Sequence, residues 1–342
     1  ISRIVPQIKE ELKQRIAYFK EREDVVAAER IKTKTEYDLE MMQEVGYVKG
    51  IENYSRYLDG RKSGEPPMTL MDYFPENYLT FVDESHITLS QIEGMFGGDK
   101  SRKDMLIEHG FRLPSAYDNR PLYFLEFCEK VNQFVCVSAT PSNSDIEQGG
   151  MIVEQVIRPT GLLDPIIEIE DMEYMVDSII DNVDKVVKKK QRALITTVTK
   201  KSSEDLAAYL RDNGVRAGYL HSEIDTVERL EILHDLRTGK IDVLVGVNLL
   251  REGLDLPEVS FIGIIDAHKQ GFLRSTRSLI QIVGRAARNA DGQVIMYSYQ
   301  KQISPAMKET IDITARRRKI QDDYNQKHNI TPKTVISSIK NI

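Results

Sequence analysis

The sequence predicts an α/β protein of two domains, of which the second holds a complete parallel sheet. After residue 190, strands alternate with helices that stop at Gly214 and Gly239, a pattern typical of parallel sheets joined by helical crossovers. A chain of 342 residues is long enough for two domains, and a hydrophobic fraction of 41% is enough to form a core in each.

The elements of the second domain follow from short apolar runs bounded by turn residues. A long charged helix over 304–328 is expected to follow the sheet. The predicted strands are 193–197, 215–220, 242–247, 260–265 and 293–299, and the predicted crossover helices are 202–212 and 226–238.

The first domain begins with helices and contains two short strands. Residues 7–45 predict a surface helical hairpin, because apolar side chains recur there at helical spacing. Apolar strands at 79–82 and 134–137 each end in polar residues, and the segment between them is longer than a simple crossover needs. We therefore expect an inserted subdomain at about 92–128. A linker with Pro and Gly places the boundary between domains 1–157 and 158–342.

Composition and charge exclude several classes of protein. The formal charge is -6, so a nucleic-acid surface would have to consist of local basic patches. No apolar run approaches the thickness of a bilayer and no secretory pattern is present, which favours a cytoplasmic protein. Cys128 and Cys136 are interpreted as buried packing residues. Because the first residue is Ile1 and not methionine, we expect a piece of a longer protein.

Two adjacent carboxylates follow the first strand, in the run Asp83-Glu84-Ser85-His86. Phosphoryl transfer to water needs one carboxylate to hold Mg²⁺, directly or through water, and a second group to orient or deprotonate the attacking water. Asp83 fits the first role and Glu84 fits the second. The alternative is a strand that ends in acidic residues by chance, so the assignment needs support from other motifs.

A second motif, from Gln281 to Arg288, places two arginines at the end of a predicted helix. Arg285 and Arg288 are three residues apart, so we expect both on one helical face and within reach of the same anion. An arginine that stabilises a transferring phosphoryl group raises the rate by roughly 10³ to 10⁵. The alternative is a solvated basic helix.

Two weaker motifs complete the set. Ser138 and Thr140 follow the second strand, and Gly253 and Asp255 lie in a loop between two strands of the second domain. Taken alone, each pair also fits an ordinary cap or polar loop. In this order and context the motifs resemble those of superfamily 2 helicases, with 83–86 as motif II, 138–140 as motif III, 253–255 as motif V and 281–288 as motif VI.

Flanking segments narrow the resemblance to the UvrB family, the helicase-like component of the bacterial excision-repair excinuclease. The similarity covers essentially the whole chain and includes residues 50–56, 72–75, 81–86, 110–116, 157–161, 249–256 and 271–275. It implies a RecA-like helicase motor with an incomplete first domain, which carries the insertion, and a complete second domain. It also implies ATP and Mg²⁺ as cofactors, DNA as substrate, the excinuclease subunits A and C as partners, and a damage-verifying ATPase function.

The resemblance further implies roles for polar and basic residues. Those that would couple the nucleotide to the DNA-facing motifs are His86, Ser138, Thr140, Gly253, Asp255 and Gln281. Those that would grip DNA are Lys200, Lys201, Asn248, Arg251 and Arg274 on loops, with Arg112 and Arg120 in the insertion. Basic loop residues are more often only solvated, and His86 also fits a structural role.

One departure from the family concerns the loop that holds phosphates. No Gly-x-x-x-x-Gly-Lys-Ser/Thr run occurs, and the nearest lookalike, 97–101, has the wrong spacing and is interpreted as a loop. Two alternatives therefore stay open: a non-catalytic binding fragment, or another superfamily 2 translocase, which the flanking segments disfavour. We also expect an incomplete first sheet with exposed edges, which would lower the solubility of the chain.

Overall fold

The computed structural model of the protein describes residues 1–247 and 256–335, and the chain divides into two compact units. The first unit is Ile1–Gly150 and the second is Met151–Ile342. The second unit thus starts a few residues before the boundary predicted between 157 and 158. None of the described helices is both long enough and apolar enough to cross a membrane.

The first unit is mainly helical. Its elements are α1 (Val5–Glu21), α2 (Val25–Glu44), α3 (Ser55–Asp59), β1 (Leu79–Asp83), α4 (Ser85–Glu108), α5 (Phe124–Lys130), β2 (Gln133–Val137) and α6 (Asn143–Gln148). Short 3-10 turns at Ile51–Tyr54, Leu70–Tyr73 and Pro114–Asp118 connect some of them.

Helices α1 and α2 form the hairpin expected from the sequence. Asp24 caps α2, because its carboxylate accepts a hydrogen bond from the Ala27 amide at 2.9 Å. Apolar residues at helical spacing, among them Ile8, Leu12 and Ile31, are buried in the seam between the two helices. Burial of this seam stabilises helices whose outer faces are charged.

The insertion packs against this hairpin. Arg15 of α1 donates to the Ile107 carbonyl at 2.8 Å, and the Ser115 amide donates to Glu11 at 2.7 Å. Residues 97–101 lie inside α4, so the interpretation of this segment as a loop was wrong. Ion pairs four residues apart, Asp99 with Lys103 and Lys100 with Asp104, stabilise the helix there and offset part of the cost of the two glycines within 97–101.

Strands β1 and β2 pair in parallel, with Asp83 opposite Val137 at their carboxyl ends. Within the described residues no other strand joins this sheet, and most of its side chains are exposed. Cys136 of β2 is exposed and Cys128 is half-buried, so the interpretation of both as buried residues was wrong. The cause is the narrow sheet, which leaves the side chains of β2 largely uncovered.

The second unit is an α/β sandwich. Its elements are β3 (Ile166–Asp171), α7 (Met175–Lys188), β4 (Arg192–Thr197), α8 (Lys200–Asp212), β5 (Ala217–Leu220), α9 (Thr226–Thr238), β6 (Val243–Val247), β7 (Val259–Ile264), α10 (Thr276–Ala286), β8 (Gln293–Ser298) and α11 (Pro305–His328), with 3-10 turns at Met172–Tyr174, Phe272–Arg274 and Tyr299–Lys301. Its strands are ordered β3-β8-β7-β4-β6-β5 and all pair in parallel. This confirms the predicted fold class.

The core of the second unit lies on both faces of the sheet. Along β4, Ala193 and Ile195 pack with α7 and α8, whereas Leu194 packs with α9 and α10. This alternation follows from the two-residue period of a strand. Strand β3 and helix α7 were not predicted, although apolar residues recur at helical spacing along α7, from Ile179 to Val183.

The segment predicted to be a linker is part of the second unit. The Arg158 amide donates to the Gln321 side chain at 2.6 Å, and Asn325 donates to the Gly161 carbonyl at 2.7 Å. Arg158 also pairs with Asp164 at 2.9 Å. Because Gln321 and Asn325 are buried polar residues of α11, these bonds satisfy groups that water cannot reach, and they hold the loop on that helix.

Candidate functional site

The carboxyl end of β1 carries the first group of predicted site residues. Asp83 closes the strand and is exposed, and its carboxylate accepts a hydrogen bond from the Glu84 amide at 3.0 Å. Glu84 has φ 45° and ψ 49°, the left-handed conformation that is uncommon for a residue other than glycine. This backbone turn lets α4 begin at Ser85, directly after the two carboxylates, and such strain is concentrated at functional sites.

His86 joins this group to the end of β2. Its Nδ1 lies 2.7 Å from Ser138 Oγ and 3.4 Å from Glu84 Oε2, and the side chain is buried. Ser138 Oγ also accepts a hydrogen bond from the Thr140 amide at 3.0 Å. The parallel register brings the residues after both strands side by side, so 83–86 and 138–140 form one cluster.

The carboxylates of this cluster fit a hydrated magnesium site. Mg²⁺ is usually held by one or two carboxylates, with waters and substrate phosphates as its other ligands. Asp83 offers one exposed carboxylate, and Glu84 lies beside it. Across residues 1–247 and 256–335 no three His, Cys, Asp or Glu side chains are grouped as a metal cage, and a nucleotide-linked Mg²⁺ does not require one.

Helix α10 carries the second group, in the second unit. Ser275 caps the helix by accepting from the Ser278 amide at 3.3 Å, and Leu279 and Val283 bury its inner face against the sheet. Gln281 and Arg285 are four residues apart and both are half-buried. They therefore share one side of α10.

Arg288 does not share that helix with Arg285, contrary to the prediction. Helix α10 ends at Ala286, and Arg288 is exposed in the turn that follows. Asn289 follows in the same turn, where its buried side chain donates to the Pro257 carbonyl at 3.2 Å. Arg288 is only two residues beyond the helix. Because it is not helical, its spacing of three residues from Arg285 does not place the two side chains on one helical face.

Two arginines predicted to bind DNA are structural. Arg274 is only 3% exposed and donates to the Ile265 carbonyl at 2.8 and 3.1 Å and to the Thr196 carbonyl at 3.1 Å. Arg120 is also buried and forms a two-pronged ion pair with Glu126 at 2.7 and 2.8 Å. The prediction that these two side chains grip DNA was wrong, because their guanidinium groups are already used inside the protein.

The remaining basic candidates differ in their setting. Lys200 and Lys201 are exposed in the first turn of α8, not on a loop as predicted, because Thr199 caps that helix. Lys200 pairs with Glu223. Arg112 is half-buried in the insertion. Four further predicted residues lie outside the described residues: Asn248, Arg251, Gly253 and Asp255.

Asp145, which no sequence motif indicated as a site residue, also belongs to the cluster at the end of β1. Its carboxylate accepts a hydrogen bond from Ser85 Oγ at 2.9 Å, between Glu84 and His86. The available signal was the Ser142-x-x-Asp145 pattern, which predicts a helix N-terminus directly after the 138–140 motif. It indicates the helix but not the contact with Ser85.

The parallel sheet of the second unit places the chain in a class of protein, those with a helicase-like α/β domain. Residues 175–290, which contain α10 and most of the parallel sheet, match the family described as "Helicase conserved C-terminal domain". Residues 1–60 match "UvrB third helical domain", and residues 298–340 match "Ultra-violet resistance protein B". The chain belongs to the UvrB family.

Curated relatives match the chain from end to end. UvrABC system protein B of Caldicellulosiruptor saccharolyticus is 56% identical over 342 residues, which are 100% of this chain and 51% of that protein. The protein of the same name from Clostridium acetobutylicum is 54% identical over the same shares. The chain thus spans about half the length of the curated relatives it matches. Among solved structures, S. cerevisiae Dbp5 bound to RNA and ADP BeF3 has a TM-score of 0.43 and 15% identity, covering 79% of this chain and 70% of that one.

Proposed function

We propose that the protein carrying this chain is the damage-verifying UvrB component of a bacterial excision-repair excinuclease, an ATPase that moves along or strains a DNA strand. The observation that carries the proposal is the hydrogen-bonded cluster of His86 and Ser138 beside Glu84, because it links a candidate hydrolytic carboxylate to the neighbouring strand end. The 56% identity to UvrABC system protein B over the full chain supports it. The binding-fragment and other-translocase alternatives have no comparable support.

In this proposal the chain supplies the groups that act on the terminal phosphate of ATP. Asp83 holds Mg²⁺, which neutralises charge on the phosphates when bound. Glu84 orients or deprotonates the attacking water, and its fixed left-handed backbone restricts where the carboxylate points. Arg285 stabilises the charge that develops on the transferred phosphoryl group, and Arg288 assists from the turn after α10.

A conformational change caused by ATP binding or hydrolysis would be transmitted to the DNA-binding residues through residues that contact the cluster. His86, Ser138 and Thr140 form a continuous set of hydrogen bonds, so a shift of Glu84 would be felt at the end of β2. Gln281 shares the side of α10 that carries Arg285. For Gly253 and Asp255, the proposed role in coupling the nucleotide to the DNA rests only on the resemblance to helicase motif V.

We propose a smaller DNA-contacting set than the sequence indicated. Lys200, Lys201 and Arg112 remain candidates on described surfaces, and Asn248 and Arg251 remain candidates from the sequence. Contacts to backbone phosphates suit an enzyme that must act on any sequence. The partners proposed are DNA and the excinuclease subunits A and C, and the proposed compartment is the bacterial cytoplasm.

The test is the DNA-stimulated ATPase activity of the full-length protein with Arg285→Ala. We expect turnover to fall at least about 10³-fold, since an arginine in this role contributes roughly 10³ to 10⁵. The matched control is Arg277→Ala, which removes an exposed arginine from the same helix and should leave the DNA-stimulated turnover within about twofold. Glu84→Gln should also abolish turnover. Unchanged activity in the Arg285 and Glu84 variants would refute the assignment.

A further inference from the structure

Asp145 of α6 bonds to the 83–86 segment from another element of the chain. Its Oδ2 accepts hydrogen bonds from Ser85 Oγ at 2.9 Å and from the Ser142 amide at 3.1 Å. The Asp145 amide in turn donates to Ser142 Oγ at 3.0 Å. One oxygen therefore fixes both the start of α6 and the first residue of α4.

Ser85 is placed to influence the conformation of Glu84, the candidate hydrolytic residue. It is fully buried, it directly follows Glu84, and it precedes His86, whose ring bonds to Ser138. Glu84 occupies a left-handed conformation that a residue with a side chain does not prefer. Such a conformation persists only when surrounding contacts hold it, and the Ser85–Asp145 bond is one of these contacts.

We propose that Asp145 is a positioning residue for ATP hydrolysis, acting through Ser85 on the direction of the Glu84 carboxylate. The inference deepens the proposed function and rests on it. Asp145 does not touch the nucleotide in this proposal. Its hydrogen bond with Ser85 connects the end of β1 to α6, the helix that follows the 138–140 motif. The bond thereby couples the carboxyl ends of β1 and β2, so that they move together.

The electrostatics of Asp145 agree with this role. Burial by itself would raise the pKa of the carboxyl group, but hydrogen bonds from Ser142 and Ser85, with His86 nearby, lower the pKa below its ordinary value. Asp145 is therefore ionised at neutral pH. A hydrogen bond to an ionised acceptor is stronger than one between neutral groups, which suits a contact that must hold a strained backbone.

A capping role alone is the competing explanation. Asp145 and Ser142 form a capping box, which stabilises α6 whether or not Ser85 is present. A substitution of Ser85 distinguishes the two explanations. Ser85→Ala removes the bond to α4 and leaves the capping box intact, so a pure cap predicts normal catalysis in that variant.

The experiment measures kcat and KM for ATP in the full-length protein with DNA present. In Asp145→Asn we expect kcat to fall about tenfold with KM changed by less than about twofold, because the charge-assisted bond is weakened while the nucleotide's own contacts remain. Asp145→Glu should recover most of the lost kcat. Ser85→Ala should lower kcat by a similar factor, and the double variant should be no slower than either single variant.

The matched control is Glu147→Gln, which removes an exposed carboxylate from the same helix and should leave kcat at the original value. Additive losses in the double variant, a normal kcat in Ser85→Ala, or an equal loss in Glu147→Gln would overturn the inference. Glu84→Gln separates it from the proposed function. If Glu84→Gln is inactive and Asp145→Asn is normal, only this inference fails, whereas a fully active Glu84→Gln defeats the proposed function itself.

Discussion

At the scale of single residues, two basic side chains that look alike in the sequence differ in their burial. Arg274 and Lys201 are both basic residues close to strand or helix ends, yet Arg274 is buried and Lys201 is exposed. Burial lowers the pKa of Arg274 to about 10, so its guanidinium group is still charged at neutral pH. That charge is held by carbonyl oxygens of Ile265 and Thr196, at the ends of β7 and β4.

The substitution Arg274→Ala should therefore lower the free energy of unfolding of the second unit. The variant removes the Arg274 donors to the buried Ile265 carbonyl, at about 1–3 kcal/mol, whereas the Thr196 carbonyl keeps a hydrogen bond from the Ile265 amide at 3.0 Å. With the lost packing of a buried side chain, we expect a total loss of about 2–3 kcal/mol in the free energy of unfolding. Urea denaturation at neutral pH measures it. The control Lys269→Ala, at an exposed lysine in the preceding loop, should change stability by less than about 0.5 kcal/mol.

A DNA-binding role for Arg274 makes the contrary prediction. In that case Arg274→Ala would keep the stability of the parent chain and would weaken DNA binding with a smaller salt dependence. The two outcomes are exclusive in the urea experiment. Sequence reasoning did not distinguish them, because the position in a loop is visible in the chain and the closeness of Ile265 and Thr196 is not.

At the scale of elements, the end of α4 depends on one glycine. Gly110 has φ +70° two residues after the last residue of the helix, and a Cβ there would lie 2.5 Å from the backbone carbonyl oxygen of Ala27 in α2. On either side, Arg30 of α2 donates to the His109 carbonyl at 2.6 Å and lies over the Phe111 ring. The glycine thus permits both the turn and the close approach of the insertion to the hairpin.

Gly110→Ala should destabilise the first unit by more than about 2 kcal/mol, since it combines a left-handed backbone with a clash against main-chain atoms that cannot move aside. Gly98→Ala, in the same helix, should do the opposite. Gly98 has helical geometry and open space around it, so alanine there should stabilise the unit by about 0.5–1 kcal/mol. Thermal unfolding of the two variants checks the pair, and equal effects would contradict this explanation.

Two predictions about where helices begin or end were wrong, one for α10 and one for residues 97–101. Helix α10 was expected to carry both Arg285 and Arg288, but it ends at Ala286, and the buried Asn289 side chain beyond it bonds to the Pro257 carbonyl. In α4, one exposed ion pair, Lys100 with Asp104, and one with the buried Lys103, Asp99 with Lys103, stabilise the helix around 97–101 despite two glycines. Local sequence predicts that an element exists, whereas its last residues depend on partners distant in the chain.

At the scale of the whole molecule, the two units differ in how well their sheets are covered. The sheet of the second unit has helices on both faces, and its inner strands are buried. The sheet of the first unit, within the described residues, consists of β1 and β2 only. Phe81 is 66% exposed, and Phe134, Val135 and Val137 are also exposed. Apolar strand faces and edges of this kind favour association with other chains.

We therefore expect residues 1–342, expressed alone, to self-associate at micromolar concentration. Sedimentation velocity measures this, and Phe81→Thr should reduce the associated fraction severalfold, because threonine keeps the strand propensity and removes most of the apolar surface. Phe272→Thr is the control, since it removes an even more exposed ring, 83% against 66%, from the second unit. A monodisperse parent chain, or equal effects of both substitutions, would show that the small sheet is not the cause.

The order of apolar and polar residues determined the α/β class, the parallel sheet of the second unit, and the placement of Asp83 and Ser138 after strands. These follow from local periodicity and from the rule that parallel strands end at one edge. Tertiary structure alone decided that Arg274 and Arg120 are internal, that Arg288 leaves its helix, and that Asp145 reaches Ser85. Each of these depends on groups far apart in the chain, whose meeting is set by packing and by the need to pair buried polar atoms.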